Sequence, residues 1–129
     1  MSSSPSEYEI HCSIVAYLDV ALPGGSICHH SPNEGRHHIA YRKKQHRLGM
    51  KTGWPDLEVL VPRDNWHGDT PWGPIFLEVK TEKGKQTNSQ KKMAKVLDAA
   101  GGHYHVVRSI DEVIECLTEI LGVFPSAKI

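Results

Sequence analysis

Two short apolar runs that each carry a carboxylate constrain this sequence more than any other feature. They predict strands at Asp56–Val61 and Ile75–Lys80, with a loop rich in Pro, Gly, Asp and Trp between them. Because side chains alternate across a strand, Glu78 and Lys80 are expected to project from the same face of the sheet. If the two strands are neighbours, Asp56, Glu78 and Lys80 meet in one small patch.

The residue types in this patch indicate a particular chemistry. Two carboxylates beside one ammonium group suit a hard divalent cation and the phosphate that it holds, which is the chemistry of a metal-dependent nuclease. The ordinary alternative is that Asp56 starts a strand after a turn and that Glu78 and Lys80 form a solvent-facing charge pair. Without a wider context, these three residues alone favour the ordinary alternative.

The distribution of charge is more informative than its sum. The chain has 129 residues, predicted as one domain over 1–129 with residues 1–3 frayed, and its 15 basic and 15 acidic residues give a formal net charge of zero. Positive charge is concentrated between Glu34 and Asp56 and again after Lys80. Such runs are usually solvated faces, but they also predict a track for phosphates. The predicted nucleic-acid contacts are Asn33, Arg36, Arg42, Lys43, Lys44, Arg47, Lys51, Lys83 and Lys85.

The number and spacing of the cysteines indicate the redox compartment of the protein. The chain has three cysteines, an odd number, and they include no C-x-x-C pair: Cys12, Cys28 and Cys116. We therefore expect no disulfide framework, and we expect the protein to work in a reducing cytosol. Each is expected to be a small buried apolar residue. Neither a signal peptide nor an apolar run of transmembrane length is recognisable, which predicts a soluble intracellular protein.

The remaining patterns predict the order of elements. It begins with a helix from Ser4 or Ser6 to about Leu22, with Pro5 at the first helical position. The later elements are a strand at 26–30, a basic helix at about 38–50, the two strands above, a helix from about Thr87, a strand at His103–Val107 and a last helix after the S-x-x-E box at Ser109. This order predicts a small α/β domain with a mixed sheet covered by helices.

This order, together with Pro55-Asp56 and Glu78-Val79-Lys80, resembles the PD-(D/E)xK nuclease superfamily. The closer resemblance is to the VRR-nuclease (VRR-NUC) family, which includes small stand-alone enzymes of phages and bacteria. It extends, in order and over nearly the whole chain, to the segments 30–35, 48–57, 84–90 and 106–109. The resemblance implies a restriction-endonuclease-like core, with a central mixed β-sheet flanked by helices in αβββαβ-type order.

The resemblance also implies roles for the patch. Asp56, Glu78 and the backbone carbonyl of Val79 would ligate Mg²⁺ or Mn²⁺, and a water on that cation would attack a phosphodiester. Lys80 would orient or deprotonate the water, or stabilise charge in the transition state. A lysine that acts as a base needs a lowered pKa and one that acts electrostatically does not, so the sequence leaves both roles open.

A glutamate of the first helix completes the metal site in the family. Glu7 and Glu9 compete for this role, and the family pattern favours Glu7 because it stands three positions before Ile10. Both 4–7 and 6–9 are possible capping boxes, which would give Glu7 a purely structural role. His11 stands where the family often has glutamine, so a direct role at this position is in doubt.

Gln90 has two interpretations. Thr87-Asn88-Ser89-Gln90 fits a T-x-x-Q capping box, which alone would explain the glutamine. The resemblance instead implies a polar contact with the water, with Lys80 or with a phosphate.

The histidines and tryptophans offer further alternatives. Nine histidines suggest zinc, but no set has the spacing of a structural zinc site, and His29 and His30 point to opposite faces of a strand. His30 and Asn33 could lie near the scissile phosphate, although Asn33 equally suits a turn. Trp66 and Trp72 would either stack on an unpaired base or anchor their loop in the core.

The expected activity is hydrolysis of DNA phosphodiesters. The resemblance implies an endonuclease for branched, flapped or Holliday-junction-like DNA, acting as a homodimer in the cytoplasm of a bacterium or a phage-infected cell. Two other classes remain: a DNA-binding module without turnover, against which the intact Asp56, Glu78 and Lys80 argue, and a histidine-rich metal-binding structural protein.

Overall fold

The computed structural model describes residues 4–32 and 39–122, and it has the predicted order of elements. The helices are α1 (Glu7–Ala21), α2 (Ile39–Arg47), α3 (Asn88–Ala99) and α4 (Ile110–Leu121), and a short 3-10 helix spans Arg63–Asn65. The strands are β1 (Ile27–His30), β2 (Leu57–Leu60), β3 (Ile75–Val79) and β4 (His103–Val107). The predicted mixed α/β architecture is confirmed.

The four strands form one sheet in the order β1-β2-β3-β4. β2 is antiparallel to both β1 and β3, whereas β4 runs parallel to β3. A parallel pair needs a crossover connection, and α3 provides it here. In the register of β2 and β3, Leu57 faces Leu77. Asp56 therefore lies at the end of β2 that is next to Glu78, as the strand pairing predicted.

Most of the core lies between one face of the sheet and the helices α1 and α4. All five residues of β3 are buried, as expected of a strand covered on both faces. The core cluster includes Ile14 and Leu18 of α1, Val79 of β3 and Leu117 of α4. The predicted inward orientation of Val79 is confirmed, because its side chain is fully buried.

The start of α1 differs from the prediction in one respect. Ser6 is the N-cap, and its hydroxyl accepts a hydrogen bond from the Glu9 N–H while the Glu9 carboxylate accepts one from the Ser6 N–H. Pro5 therefore precedes the cap and is not the first helical residue, so that expectation was wrong. Of the two possible capping boxes, this box satisfies the orphan amides and leaves Glu7 outside the cap.

Two other local expectations need correction. Cys12 is exposed on α1 and Cys28 is half-buried, so only Cys116 has the buried environment expected of all three. The reason for Cys12 is its helical phase, since the buried positions Ile10 and Ile14 lie on the other side of α1. At α4 the Ser109 hydroxyl accepts from the Glu112 N–H, but the Glu112 carboxylate accepts from the Arg108 N–H rather than closing the box.

The basic helix α2 contains no buried residue. Its residues Ile39 and Tyr41 are exposed, as is Leu48 just beyond its end. No helix among the described residues has the length and apolar character needed to cross a membrane.

Candidate active site

Three charged side chains are buried among the residues that the structure describes, and they are the three singled out from the sequence. Asp56 is 7% exposed, Glu78 1% and Lys80 8%. An unpaired charge in such a place is strongly unfavourable, so buried charges are normally paired or ligate a metal. Their burial excludes the alternative that Glu78 and Lys80 form a solvent-facing pair.

Hydrogen bonds from two sides fix Asp56. Its Oδ2 accepts from the Val79 backbone N–H at 2.7 Å, so the side chain reaches across to β3 next to Glu78. Its backbone carbonyl accepts from Nδ1 of His30, on the neighbouring strand β1, at 2.8 Å. Both partners belong to the sheet, which makes the position of this carboxylate a property of the fold.

Glu78 is the most constrained group of the site. Burial, more than any other cause, raises the pKa of its carboxyl to about 9. A shared hydrogen bond with Asp56 and repulsion by its charge add to the rise, and the Lys80 ammonium opposes it. These causes together favour the protonated form of Glu78 near neutral pH in the metal-free protein.

The residues present fit a divalent cation. Glu78 Oε1 is buried and has no hydrogen-bond partner among the described residues, whereas buried carboxylate oxygens are normally paired. A hard cation beside two adjacent carboxylates would relieve the repulsion between their charges. The structure thus provides the oxygen donors that Mg²⁺ and Mn²⁺ prefer.

The raised pKa of Glu78 predicts an unusual pH dependence of stability. Because its folded-state pKa of about 9 lies above the ordinary 4.5, the folded protein binds more protons than the unfolded chain between these values. The stabilising contribution is complete below pH 4.5 and is lost as the pH rises through 9.

We expect Glu78→Gln, which mimics the protonated carboxyl, to raise the metal-free Tm at pH 8–9 and to flatten its pH dependence. Thermal unfolding in EDTA from pH 5 to 9 measures this, with Glu119→Gln on α4 as the control, and an equal slope in both variants would contradict it.

Gln90 combines the two roles that the sequence left open. Its Oε1 accepts from the Thr87 N–H at 2.8 Å, and its own N–H donates to the Thr87 hydroxyl, so the capping box is complete. Its Nε2 donates to Glu78 Oε2 at 3.4 Å. One side chain therefore both starts α3 and contacts the buried carboxylate.

Two contacts hold the start of α3 against the site. Gly53, in the segment leading to Asp56, has a φ of +81°, and a Cβ there would lie 2.5 Å from the Ser89 carbonyl oxygen, so only glycine permits this approach. The Arg108 guanidinium donates to the Gly84 carbonyl at 2.8 Å and fixes the loop that leads from Lys80 to α3. Both residues lie in segments that carry the family resemblance.

The two roles of Gln90 can be separated by substitution. Gln90→Glu preserves the capping box, since glutamate caps equally well, but it removes the donor to Glu78. If the donor serves the reaction, cleavage of DNA should fall about tenfold, the equivalent of one hydrogen bond to a charged group, while the Tm remains near the wild-type value. Cleavage at the wild-type rate in this variant would show that capping is its main role.

Glu7 lines a cleft of about 680 Å³ between α1 and the site, together with His11, His30 and Asp56. The Glu7 charge contributes to the raised pKa of Glu78, whereas Glu9 is engaged in the helix cap. The geometry thus favours Glu7 over Glu9 as the glutamate that faces the site. Among residues 4–32 and 39–122, no three His, Cys, Asp or Glu side chains are grouped closely enough to hold a metal, and the role of Glu7 as a ligand stays a prediction.

Similar structures identify the fold. The chain is 24% identical to a solved structure titled "VRR_NUC domain protein", with a TM-score of 0.70 over 93% of this chain and 91% of that chain. A second, titled "VRR_NUC domain", has 20% identity and a TM-score of 0.54, covering 88% of this chain and 96% of that chain. The chain has the VRR_NUC fold. No family model and no curated protein matches the sequence.

In this VRR_NUC fold, Tyr104 is a site residue that the sequence analysis missed. It lies on β4 opposite Phe76, and its hydroxyl accepts from Gln86 Nε2 at 2.9 Å. Burial and the nearby Glu78 charge raise the pKa of the hydroxyl well above its usual value, so Tyr104 is neutral at physiological pH. Only the parallel pairing of β3 and β4 brings Tyr104 to Glu78, and no motif marks it.

His11 and His30 form the side of the cleft next to Asp56. Their rings meet edge to face with centroids 4.8 Å apart. Burial and the neighbouring His30 lower the pKa of His11, which favours its neutral form. The ring pair thus packs against the site, with the His30 Nδ1 bonded to the Asp56 carbonyl.

The predicted nucleic-acid contacts divide into two groups. Lys43, Lys44 and Arg47 of α2 are exposed, as are Lys51, Lys83 and Lys85 in loops, and Arg42 is half-buried. Asn33 and Arg36 lie outside the described residues. The exposed lysines and Arg47 have the solvent access that a contact with phosphate requires.

Trp66 and Trp72 anchor their loop. The indole N–H groups of both donate to the Val61 carbonyl, at 3.0 and 2.9 Å. Trp66 also packs against the His103 ring, and Arg63 lies over the Trp72 ring. These contacts favour the loop-anchor interpretation over base stacking.

Proposed function

We propose that this protein is a divalent-metal-dependent endonuclease that hydrolyses DNA phosphodiester bonds. The observation that carries the proposal is the burial of Asp56, Glu78 and Lys80 in one cluster that contains a partnerless carboxylate oxygen. A fold with no such function would not retain this costly arrangement without a compensating partner. The VRR_NUC titles of the similar structures support a nuclease.

Asp56, Glu78 and the Val79 carbonyl are the groups that would hold Mg²⁺ or Mn²⁺, with Glu7 facing them from α1. When bound, the cation neutralises charge on the scissile phosphate and activates water for the attack. Glu78 would bind the cation in its ionised form, and the Gln90 amide, which donates to Oε2, would hold it in place. The Val79 N–H fixes the Asp56 carboxylate next to Glu78 and so supports this role.

Lys80 supplies positive charge at the same point. Its ammonium group favours the ionised form of Glu78 and therefore lies close enough to interact with the carboxylate pair. In the reaction it orients the attacking water or stabilises the charge that develops on the phosphate. Burial places this charge where little solvent screens it, which increases its effect.

The basic residues of α2 and of the loops at Lys51, Lys83 and Lys85 are proposed to bind the DNA backbone. Helix α2 has no buried residue, and its Lys43, Lys44 and Arg47 are exposed where a phosphate could contact them. We propose branched or flapped DNA as the substrate and a homodimer in the cytoplasm as the working form, so that two sites can make paired cuts.

A cleavage panel tests this proposal. Labelled four-way junction, flap, single-stranded and linear duplex DNA are incubated with the protein in Mg²⁺, in Mn²⁺ and in EDTA. We expect cutting that requires the metal and is fastest on a branched substrate. DNA binding without cutting under every metal condition would refute the endonuclease and favour the non-cleaving module.

A further inference from the structure

A second pocket lies beside the active site, at the end of α2, and the proposed mechanism does not use it. Its volume is about 320 Å³, within the lower range of pockets that hold small-molecule-sized groups. Its lining includes the side chains of Gln45, Leu48, Met50, Lys51, Trp54 and Glu58. We call it the Trp54 pocket.

The apolar part of the Trp54 pocket consists of the Trp54 ring, which two contacts hold in place, and the exposed side chain of Leu48. The Trp54 ring meets the Phe76 ring edge to face, with centroids 5.6 Å apart, and its Nε1 donates to Glu58 Oε1 at 2.8 Å. Leu48 at the rim is 74% exposed. An oriented indole next to unburied aliphatic surface is suited to cover a flat, largely apolar ring.

The polar part of the pocket has an unused acceptor. Glu58 Oε1 accepts both the Trp54 indole N–H and the Ser31 hydroxyl, at 2.8 and 3.2 Å. Both of the carboxylate's hydrogen bonds within the described residues are on Oε1, which leaves Oε2 for a ligand. An ionised carboxylate can only accept, so the free oxygen selects a ligand that presents N–H or O–H groups.

The position of the pocket relates it to the reaction. Glu58 follows Asp56 by two residues and projects from the same face of the sheet, so their Cα atoms are about 7 Å apart. Lys51 at the pocket and the basic residues of α2 provide charge for a phosphate chain that leads to it. A group bound here is therefore close to a phosphate held at Asp56 and Glu78.

We propose that the Trp54 pocket binds one unpaired nucleobase close to the scissile phosphate. The inference rests on the proposed function and specifies its substrate: DNA with an unpaired nucleotide beside the cut. Trp54 covers the base, Glu58 accepts from its exocyclic amino group, and Lys51 contacts the adjoining phosphate. Cytosine, adenine and guanine carry such an amino group, whereas thymine presents one N–H between two carbonyl oxygens that a carboxylate repels.

The occupancy of the pocket can be measured without cleavage. Flap DNA carrying a single 2-aminopurine at successive unpaired positions is bound in EDTA, and its fluorescence reports stacking. We expect quenching at one position next to the junction, its loss in Trp54→Leu and its retention in Trp72→Phe, a tryptophan variant in the loop anchor. Equal quenching in Trp54→Leu and the wild type, or none in the wild type, would overturn the proposal.

Leu48→Glu provides a second variant, because a position that is 74% exposed tolerates substitution without loss of folding. The new charge at the rim should weaken binding of flap DNA at least threefold more than binding of fully paired duplex, where no base enters the pocket. An equal effect on both DNAs would overturn the proposal.

Glu58→Gln tests the choice of base. The wild type should bind the flap with cytosine at the quenched position about tenfold more tightly than the flap with thymine, the effect of one charged hydrogen bond. Glutamine can both donate and accept, and it should remove this preference. Retention of the preference in the variant would contradict the role of Glu58.

The proposed endonuclease activity and the proposed base-binding pocket can be refuted independently of each other. Quenching that depends on Trp54, in a protein that cuts no DNA with any metal, would support the pocket and refute the endonuclease. Metal-dependent cutting without quenching at any position would refute the pocket and leave the endonuclease standing.

Discussion

Lys80→Ala is expected to lower the rate of metal-dependent DNA cleavage by about 10²–10⁴. The ammonium is buried beside the two carboxylates, so no solvent or other cation can replace it once it is removed. Single-turnover cleavage measures the loss, and DNA affinity in EDTA should change little because the lysine is too buried to form a surface contact.

Lys95→Ala is the matched control, since Lys95 is an exposed lysine on α3. It should cleave at nearly the wild-type rate. Similar rates for Lys80→Ala and the wild type would contradict the assignment of Lys80. The loss of its charge should also raise the pKa of Glu78 further, because Lys80 lowers it in the wild type.

Asp56→Asn and Asp56→Ala are expected to lose cleavage alike but to differ in stability. Both remove a ligand charge, and the rate should fall by about 10³ or more. Asparagine keeps an oxygen for the Val79 N–H, whereas alanine leaves this buried donor unpaired. The free energy of unfolding should therefore fall by about 1–3 kcal/mol only in the alanine variant.

Cleavage assays and urea unfolding of both variants in EDTA measure the two effects. Metal-free conditions are needed because a bound cation would add its own stabilisation to the wild type. If the asparagine variant still cleaved at the wild-type rate, Asp56 would not be a metal ligand. If both variants were equally stable, the bond to Val79 would contribute nothing to the fold.

The strands and the site patch could be predicted because their signals are local. Ile75–Val79 is a short apolar run, and the period of two residues places Glu78 and Lys80 on one side whatever the tertiary structure. Only the fold, however, shows that this side is buried. The sequence alone could not separate a surface charge pair from a buried cluster, because exposure depends on the packing of α3 and β4.

The features that the sequence predicted wrongly or did not predict also have physical causes. Pro5 suits the first position of a helix, but the reciprocal bonds of Ser6 and Glu9 set the start two residues later. Tyr104 and the Trp54 pocket depend on contacts between segments far apart in the chain, such as Ser31 with Glu58. No periodicity or motif records such contacts, so they emerge only from the packed structure.

The most direct test of the account is the binding of Mn²⁺ to the carboxylate pair. Calorimetric titration of the wild type at pH 7.5, in two buffers of different ionisation enthalpy, measures the affinity and the protons released. We expect Mn²⁺ to bind and to displace the proton held by Glu78, and we expect Asp56→Asn to abolish both the binding and the proton release. Absence of binding in the wild type, or equal binding in Asp56→Asn, would contradict the existence of a metal centre at this pair.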